Sequence, residues 1–386
     1  LEVYAAGRIA GPGSAAPTRD TLYEIGSVTK LFTGLLLARA VVQERGGLRE
    51  PLSAWLGPTS GLSEAAGRLT PLQLATHTAG LPRDPPDLRS GGYDPTNPFA
   101  HVTDAALLEA VGSPQPPAPL RPKYSNLGFG LLGWALAQAF KQPYPRALDQ
   151  EVLRPLGMVA TTTERPERGV ARGYVYGLEV APWSFGATAG AGALRSSARD
   201  LLRFLSAQLR PRASALPGAI SLSQQAHFQD AERSIGLAWG RYRLEDGATL
   251  FRHNGGTGGF RAFIGFIPQR DRGVVVLSNS AQAGLDELGL HQLDPDRHPL
   301  PKSSRRAVAT VLAPFMDGSD PAPLRPRLEG ADTHPRHLNL LGYTYLKAGR
   351  VAEALRCFRW NVELHPEWAD GFDSLGDGYV AAEAWR

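Results

Sequence analysis

Ser27-Val28-Thr29-Lys30 places a serine and a lysine with two residues between them at the head of an apolar stretch. If that stretch is a helix, positions i and i+3 share a face with Cβ atoms about 5–6 Å apart, so the lysine amine reaches the serine hydroxyl. A serine hydroxyl is a weak nucleophile until a neighbour takes its proton, and a lysine can do so once burial has lowered its pKa. Leu31, Phe32, Leu35 and Leu36 are the apolar surroundings that would desolvate it. The chain draws its positive charge almost wholly from arginine, its only lysines being Lys30, Lys123, Lys141, Lys302 and Lys347, so a lysine at this spacing is informative.

Two further groups supply partners. Tyr124-Ser125-Asn126 opens a second apolar stretch. A tyrosine beside a lysine cation can have its pKa lowered and so accept and return a proton, while the asparagine amide can bind a substrate carbonyl or hold the lysine. His253-Asn254-Gly255-Gly256-Thr257-Gly258-Gly259 lies between two strand-like runs. Its glycines let a strand edge approach a bound substrate and present a backbone N–H to an oxyanion. Each group also has an ordinary reading: a helix start with a solvated lysine, a helix cap preceded by a core tyrosine, and a flexible hairpin with a surface histidine.

The pattern around these groups predicts the elements that position them. A strand is expected over Leu1–Ala10, followed by a helix over Ser27–Arg45, apolar nearly all round its first half and with Ser27 at its cap. Helices follow at Pro71–His77 with Thr70 as cap, Thr103–Val111, Tyr124–Phe140, Pro145–Leu156 and Ser197–Leu209, separated by Pro/Gly-rich loops at Leu81–Pro98 and Ser113–Pro122. The period then switches to strands at Ile235–Leu244, Thr249–His253, Phe260–Ile267 and Gly273–Ser278, with a turn at Asp246-Gly247, which together with the N-terminal strand give an antiparallel sheet of about five strands. Residues 281–330 lose periodicity, are rich in Pro and Asp, and read as a linker. In 331–386, Leu338, Leu341, Gly342, Tyr345, Ala354, Phe358 and Pro366 match the tetratricopeptide pattern, and Phe372, Leu375, Gly376 and Tyr379 recur 34 residues after their counterparts. Asn361 stands where that pattern has a small residue. One repeat and half of another cannot form a solenoid alone, so the tail is expected to dock on the main domain, continue in a longer protein, or offer a surface to a protein partner.

Composition excludes other classes. The net charge of +4 is spread along the chain without a Lys/Arg block, so no nucleic-acid partner is expected. No run approaches the roughly 20 apolar residues of a membrane span. The single cysteine, Cys357, excludes an intrachain disulfide and a multi-cysteine zinc site. Asp294, Asp296 and His298 read as solvated polar residues of the linker, and neither a metal site nor a cofactor is expected. The sequence begins at Leu1, and the expectation is that an export signal was removed or the N-terminus was trimmed.

The order S-x-x-K, Y-S-N, H-N-G-G resembles the serine β-lactamase and penicillin-binding protein superfamily, closest to class C β-lactamases and related esterases and D-peptidases. Thr21-Leu22-Tyr23-Glu24-Ile25-Gly26, Leu74 to Pro82 (LATHTAGLP) and Gly192 to Leu201 (GALRSSARDL) extend the likeness over roughly residues 1 to 280. The resemblance implies an α/β (α+β) sandwich: an antiparallel sheet flanked by helices, with a helical insertion, plus a small all-α tail. It implies Ser27 as nucleophile, Lys30 and Tyr124 as the proton-transfer pair, Asn126 as a substrate-orienting residue, and an oxyanion hole from the N–H groups of Ser27 and Gly256, with Gly255 beside it. No separate glutamate motif for deacylation is found, so Tyr124 with Lys30 is expected to activate the water. It also favours an exported location. In T-H-T-A-G-L-P, His77 reads as a residue whose hydrogen bonds fix a loop.

Two departures matter. Family members usually carry a helix and a further strand before the first one here, so Leu1 is expected to fall inside the domain. His253 stands where lactamases and transpeptidases have lysine, which replaces a permanent cation by a group mostly neutral at pH 7. Carboxylesters are therefore expected as first substrates, β-lactams second and D-amino-acid peptides third; a lactam carboxylate would need an arginine such as Arg252 or Arg261. A rival of another class is a non-catalytic sensor that uses the pocket only for binding, against which the intact Ser27, Lys30 and Tyr124 argue.

Overall fold

The computed structural model describes residues 2–11, 13–57, 61–86, 94, 96–112, 116, 121–175, 178–281, 284–300, 335–347 and 349–384. Much of the two Pro/Gly-rich loops and of the linker therefore lies outside the described residues. The core of residues 1–299 is an antiparallel sheet of six strands: Phe228–Gln229, Ser234–Ile235, Gly240–Arg243, Thr249–Gly256, Arg261–Ile267 and Arg272–Ser278. Each strand pairs with its neighbour in sequence, as a meander built from successive turns must.

Side-chain alternation along Arg261–Ile267 explains the two-layered cover. Ala262, Ile264 and Phe266 join the main core with Phe251, Trp239 and the helices Thr29–Val42 and Ala198–Leu209. Phe263 and Ile267 point the other way, into a second core with Leu285 and Leu293. Phe204, Trp239, Phe251 and Phe266 form a chain of aromatic contacts in the first core, with Phe251 and Phe266 stacked at 4.8 Å. Burying each such side chain contributes about 1.5–3 kcal/mol before chain entropy is counted.

Three sequence expectations need correction. Residues 2–10 form no strand; Ile9 is held in a loop by its N–H to Ala15 O and by the Arg172 N–H to Ile9 O. The sheet still reaches six strands because Ala238, at a positive φ of 71°, breaks the expected Ile235–Leu244 run into Ser234–Ile235 and Gly240–Arg243, and Phe228–Gln229 adds another. Within the expected linker, Leu285–Leu293 is a helix that covers the Phe263 face of the sheet. Asp294 is accordingly buried and paired with Arg270 at 3.2 Å, rather than solvated.

The helix boundaries follow their caps. Thr70 closes a capping box with Gln73, and Thr103, Ser125 and Ser197 each accept a backbone N–H at the N-termini of Asp104–Val111, Asn126–Phe140 and Ala198–Leu209. The expected Pro145–Leu156 helix is α-helical over Tyr144–Leu148 and continues as a π-turn over Asp149–Leu153.

The tail comprises the helices Pro335–Lys347, Val351–Leu364 and Ala369–Ala384, each packed against the next. Leu338, Leu341, Tyr345, Ala354, Cys357 and Phe358 are buried, and the Phe358 ring lies over Gly342 and beside Tyr343. Phe372, Tyr379 and Val380 remain exposed.

Candidate active site

Ser27 is not a helix cap. It lies in a 3-10 turn, Gly26–Val28, that leads into the α-helix Thr29–Val42. The turn is pressed against the sheet at a particular place. Strand Thr249–Gly256 pairs with Gly240–Arg243 only over Thr249–Arg252, so on that side the edge of His253–Gly256 is left to the Ser27 turn. The approach is so close that a Cβ on Gly255 would stand 2.0 Å from Ile25 O, and one on Gly26, whose φ is 48°, would stand 2.6 Å from Gly256 O. This contact brings the Ser27 and Gly256 backbones together.

Lys30 is fully buried. Its Nζ lies 3.2 Å from Ser27 Oγ and donates to Asn126 Oδ1 and Ala191 O, each at 2.7 Å. Ala191 reaches it because Gly190 passes close over the helix Asn126–Phe140, where a Cβ would sit 2.6 Å from Phe129 O. Burial, reinforced by the Arg83 cation, holds the lysine pKa well below its usual value, with Asp84 opposing.

Asn126, at the first turn of its helix, is fixed from both sides: Oδ1 accepts from Lys30 while Nδ2 donates to Asp84 Oδ1 at 2.7 Å. The Asn126 N–H donates to Arg83 O and Ser125 Oγ–H to Pro82 O, so the Arg83-Asp84 loop is anchored on the helix N-terminus. Sequence reading missed Arg83 and Asp84, which follow the T-H-T-A-G-L-P stretch directly but carry no spacing signal toward Asn126.

Tyr124 faces the same lysine, whose Nζ is 4.8 Å from the ring centroid, and its hydroxyl is hydrogen-bonded to Ser27. The expectation of a lowered tyrosine pKa is reversed. Burial outweighs the Ser27 hydrogen bond and pushes it up to about 12, so Tyr124 holds its proton at neutral pH. His77, with φ of 61°, accepts the Ser125 N–H at Nδ1 (3.1 Å), receives the Lys123 N–H at its carbonyl, and packs its ring, tilted by 35°, against Tyr124 at 4.6 Å. It thereby fixes the loop that presents Tyr124, as its sequence context suggested.

His253 is half-buried, and burial together with the Lys30 charge lowers its pKa to about 4. It is neutral at pH 7. Nδ1–H donates to Asn254 O at 2.6 Å, which leaves the Nε2 lone pair free to accept. Asn254 in turn donates to Asp286 at 2.5 Å.

Two clefts flank these groups. One, of about 190 Å³, includes Ser27, Asn126 and Gly256 in its wall, together with Phe99, Trp183 and Phe185. These three rings are mutually packed at 5.3–6.1 Å. The buried Glu24–Arg195 pair, at 2.9 Å, holds Trp183 by its N–H and its carbonyl. The other cleft, of about 250 Å³, includes Tyr124 and His253 and runs out along Gly240–Tyr242. Among the described residues no cluster of His, Cys, Asp and Glu could hold a metal, and no helix is long and apolar enough to cross a membrane.

The fold and this serine-centred cluster are those of a penicillin-recognising serine hydrolase. The β-lactamase family model matches residues 2–294, and the chain belongs to that family. It is 30% identical over 293 residues to the D-alanyl-D-alanine-carboxypeptidase/endopeptidase AmpH of Escherichia coli, covering 69% of this chain and 73% of that protein. It is 28% identical over 309 residues to a β-lactamase of Pseudomonas fluorescens, covering 70% of this chain and 83% of the relative. The solved class C β-lactamase of Rhodobacter sphaeroides is similar in structure, with a TM-score of 0.63 at 26% identity over 73% of this chain and 86% of that one.

Proposed function

We propose that this serine hydrolase cleaves carboxylesters through an acyl-Ser27 intermediate. The surroundings of the lysine amine support that chemistry. A neutral amine has two N–H donors and one lone pair, and around Lys30 stand two acceptors, Asn126 Oδ1 and Ala191 O, and one hydroxyl, Ser27. With the two donors engaged, the lone pair is directed at Ser27 Oγ–H. Lys30 takes that proton as Oγ attacks the carbonyl, and the oxyanion is received by the N–H groups of Ser27 and Gly256. Tyr124, protonated and bonded to Ser27, passes a proton to the leaving oxygen and recovers it from the water that hydrolyses the acyl-enzyme, while Lys30 returns its proton to Ser27 Oγ as the acid departs.

The preference for esters rests on His253. A neutral imidazole cannot pair strongly with a carboxylate next to the reacting carbonyl, and a simple ester has none there. The Phe99–Trp183–Phe185 wall beside Ser27 suits an apolar acyl group. A second reading, hydrolysis of lactams or D-alanyl peptides, is favoured by the names of the relatives above. The test is a panel of a short-chain p-nitrophenyl ester, nitrocefin and a D-Ala-D-Ala peptide. The ester is expected to lead nitrocefin at least tenfold in kcat/KM, about 1.4 kcal/mol. Equal turnover would put the second reading first.

A further inference from the structure

Two histidines share a cleft with Tyr124, and their surroundings fix opposite tautomers. His77 Nδ1 accepts the Ser125 N–H at 3.1 Å, so that nitrogen carries no hydrogen and the proton of the neutral ring sits on Nε2. His253 is the reverse: Nδ1–H donates to Asn254 O at 2.6 Å, and Nε2 keeps its lone pair. Both rings are neutral at pH 7, because burial and the Lys30 charge lower the pKa of each. Among the described residues neither Nε2 has a hydrogen-bond partner. The wall that carries Tyr124 thus offers one donor and one acceptor that the fold itself does not use, the donor on a ring packed against Tyr124 at 4.6 Å.

We propose that His77 and His253 together hold the water that hydrolyses the acyl-enzyme, His77 Nε2–H donating to its oxygen and His253 Nε2 accepting one of its hydrogens. The place follows from Tyr124. The group that gives a proton to the leaving oxygen later takes one from the water, so the water enters where the leaving group stood. There it is fully bonded. One O–H points at Tyr124 Oη, then a phenolate facing the Lys30 ammonium, and the second at His253; one lone pair takes the His77 N–H, and the other faces the acyl carbon. In the attack the first O–H breaks and its proton goes to Tyr124, the oxygen bonds to the acyl carbon, and the bond from that carbon to Ser27 Oγ breaks as Lys30 returns its proton to Oγ. Both histidines keep their protons throughout. A lysine at position 253, as an ammonium, would donate but could not accept. This deepens the acyl-Ser27 reading and rests on it, whatever the acyl group.

Turnover of p-nitrophenyl acetate with methanol added tests it. His253→Leu removes the acceptor, and His253→Gln keeps one at similar reach. His77→Asn keeps an acceptor for the Ser125 N–H and tolerates the φ of 61°, but lacks the Nε2–H. His77→Asn and His253→Leu, each with its melting transition intact, are expected to lower kcat roughly tenfold or more. The first equivalent of p-nitrophenol should still appear in a burst, and acetyl-Ser27 should accumulate by intact mass. Methanol has a single O–H, which is committed to Tyr124, so only water gains from His253. The ratio of methyl acetate to acetate should therefore rise roughly fivefold in His253→Leu, the worth of about one hydrogen bond, and return toward the wild-type value in His253→Gln. Acetyl-protein that accumulates in neither variant, or a product ratio unmoved by His253→Leu, overturns the proposal. Absence of acetyl-protein from every variant, with no methyl acetate from the wild type, would refute the acyl-Ser27 intermediate itself.

Discussion

Lys30 Nζ and Asn126 Oδ1 meet at 2.7 Å across 96 residues of chain, joining the helix that carries the serine to the helix that opens with Y-S-N. The contact holds the amine against Ser27 and, being to a neutral acceptor, does so without adding negative charge that would favour the ammonium form.

Asn126→Asp should therefore slow the enzyme at neutral pH. A carboxylate in that place stabilises the protonated lysine, raises its pKa, and leaves less neutral amine at a given pH. Since the base must be deprotonated, kcat/KM falls as pH drops through the lysine pKa, and this acid limb should move up by about one unit or more. A pH–rate profile with an unmoved acid limb would show that Lys30 is not the base.

Lys30→Ala and Tyr124→Phe should each remove most of the activity, and the double variant should lose much less than the product of the two losses. One proton-transfer step shared by both residues demands this non-additivity. Independent, multiplicative losses measured in a double-mutant cycle would separate the two roles.

Gly255→Ala should destabilise the domain by about 1–3 kcal/mol and disorganise the site, because the added methyl meets Ile25 O rather than a movable side chain. A thermal melt and an ester assay together measure both effects. A variant as stable and active as the wild type would mean that the Ser27 turn does not press on the strand.

Acid should cost stability between pH 6.5 and about 4. Over that window the unfolded chain binds a proton at His253 that the folded chain, with its pKa near 4, refuses, so stability falls as pH drops through it. His77 acts in the same direction, so His253→Asn should flatten the dependence of Tm on pH without abolishing it. An unchanged slope would place the His253 pKa near its ordinary value.

Much of this was legible in the chain, for physical reasons that differ by element. Apolar periodicity, with Thr70 as a cap, marked the helices, and alternation marked the long strands. Motif spacing put Ser27 and Lys30 on one helical face, and the resemblance put Tyr124, Asn126 and His253 with them. The helix Leu285–Leu293 was overlooked because its neighbours are rich in Pro and Asp, yet the near-continuous apolar run of Arg261–Ile267 already required cover on both faces. The direction of the Tyr124 pKa was missed because motif chemistry names the neighbouring cation but not the depth of burial. Asp84, Trp183 and the paired clefts depend on loops whose paths no local pattern encodes.

Acylation of Ser27 carries the whole account. Incubated with a short-chain p-nitrophenyl ester and quenched rapidly, the protein should gain the mass of one acyl group, located at Ser27 by peptide mapping. Ser27→Ala should show neither the added mass nor turnover while keeping its melting transition. Sustained hydrolysis by the Ser27→Ala protein, or an acyl group found on another residue, would contradict it.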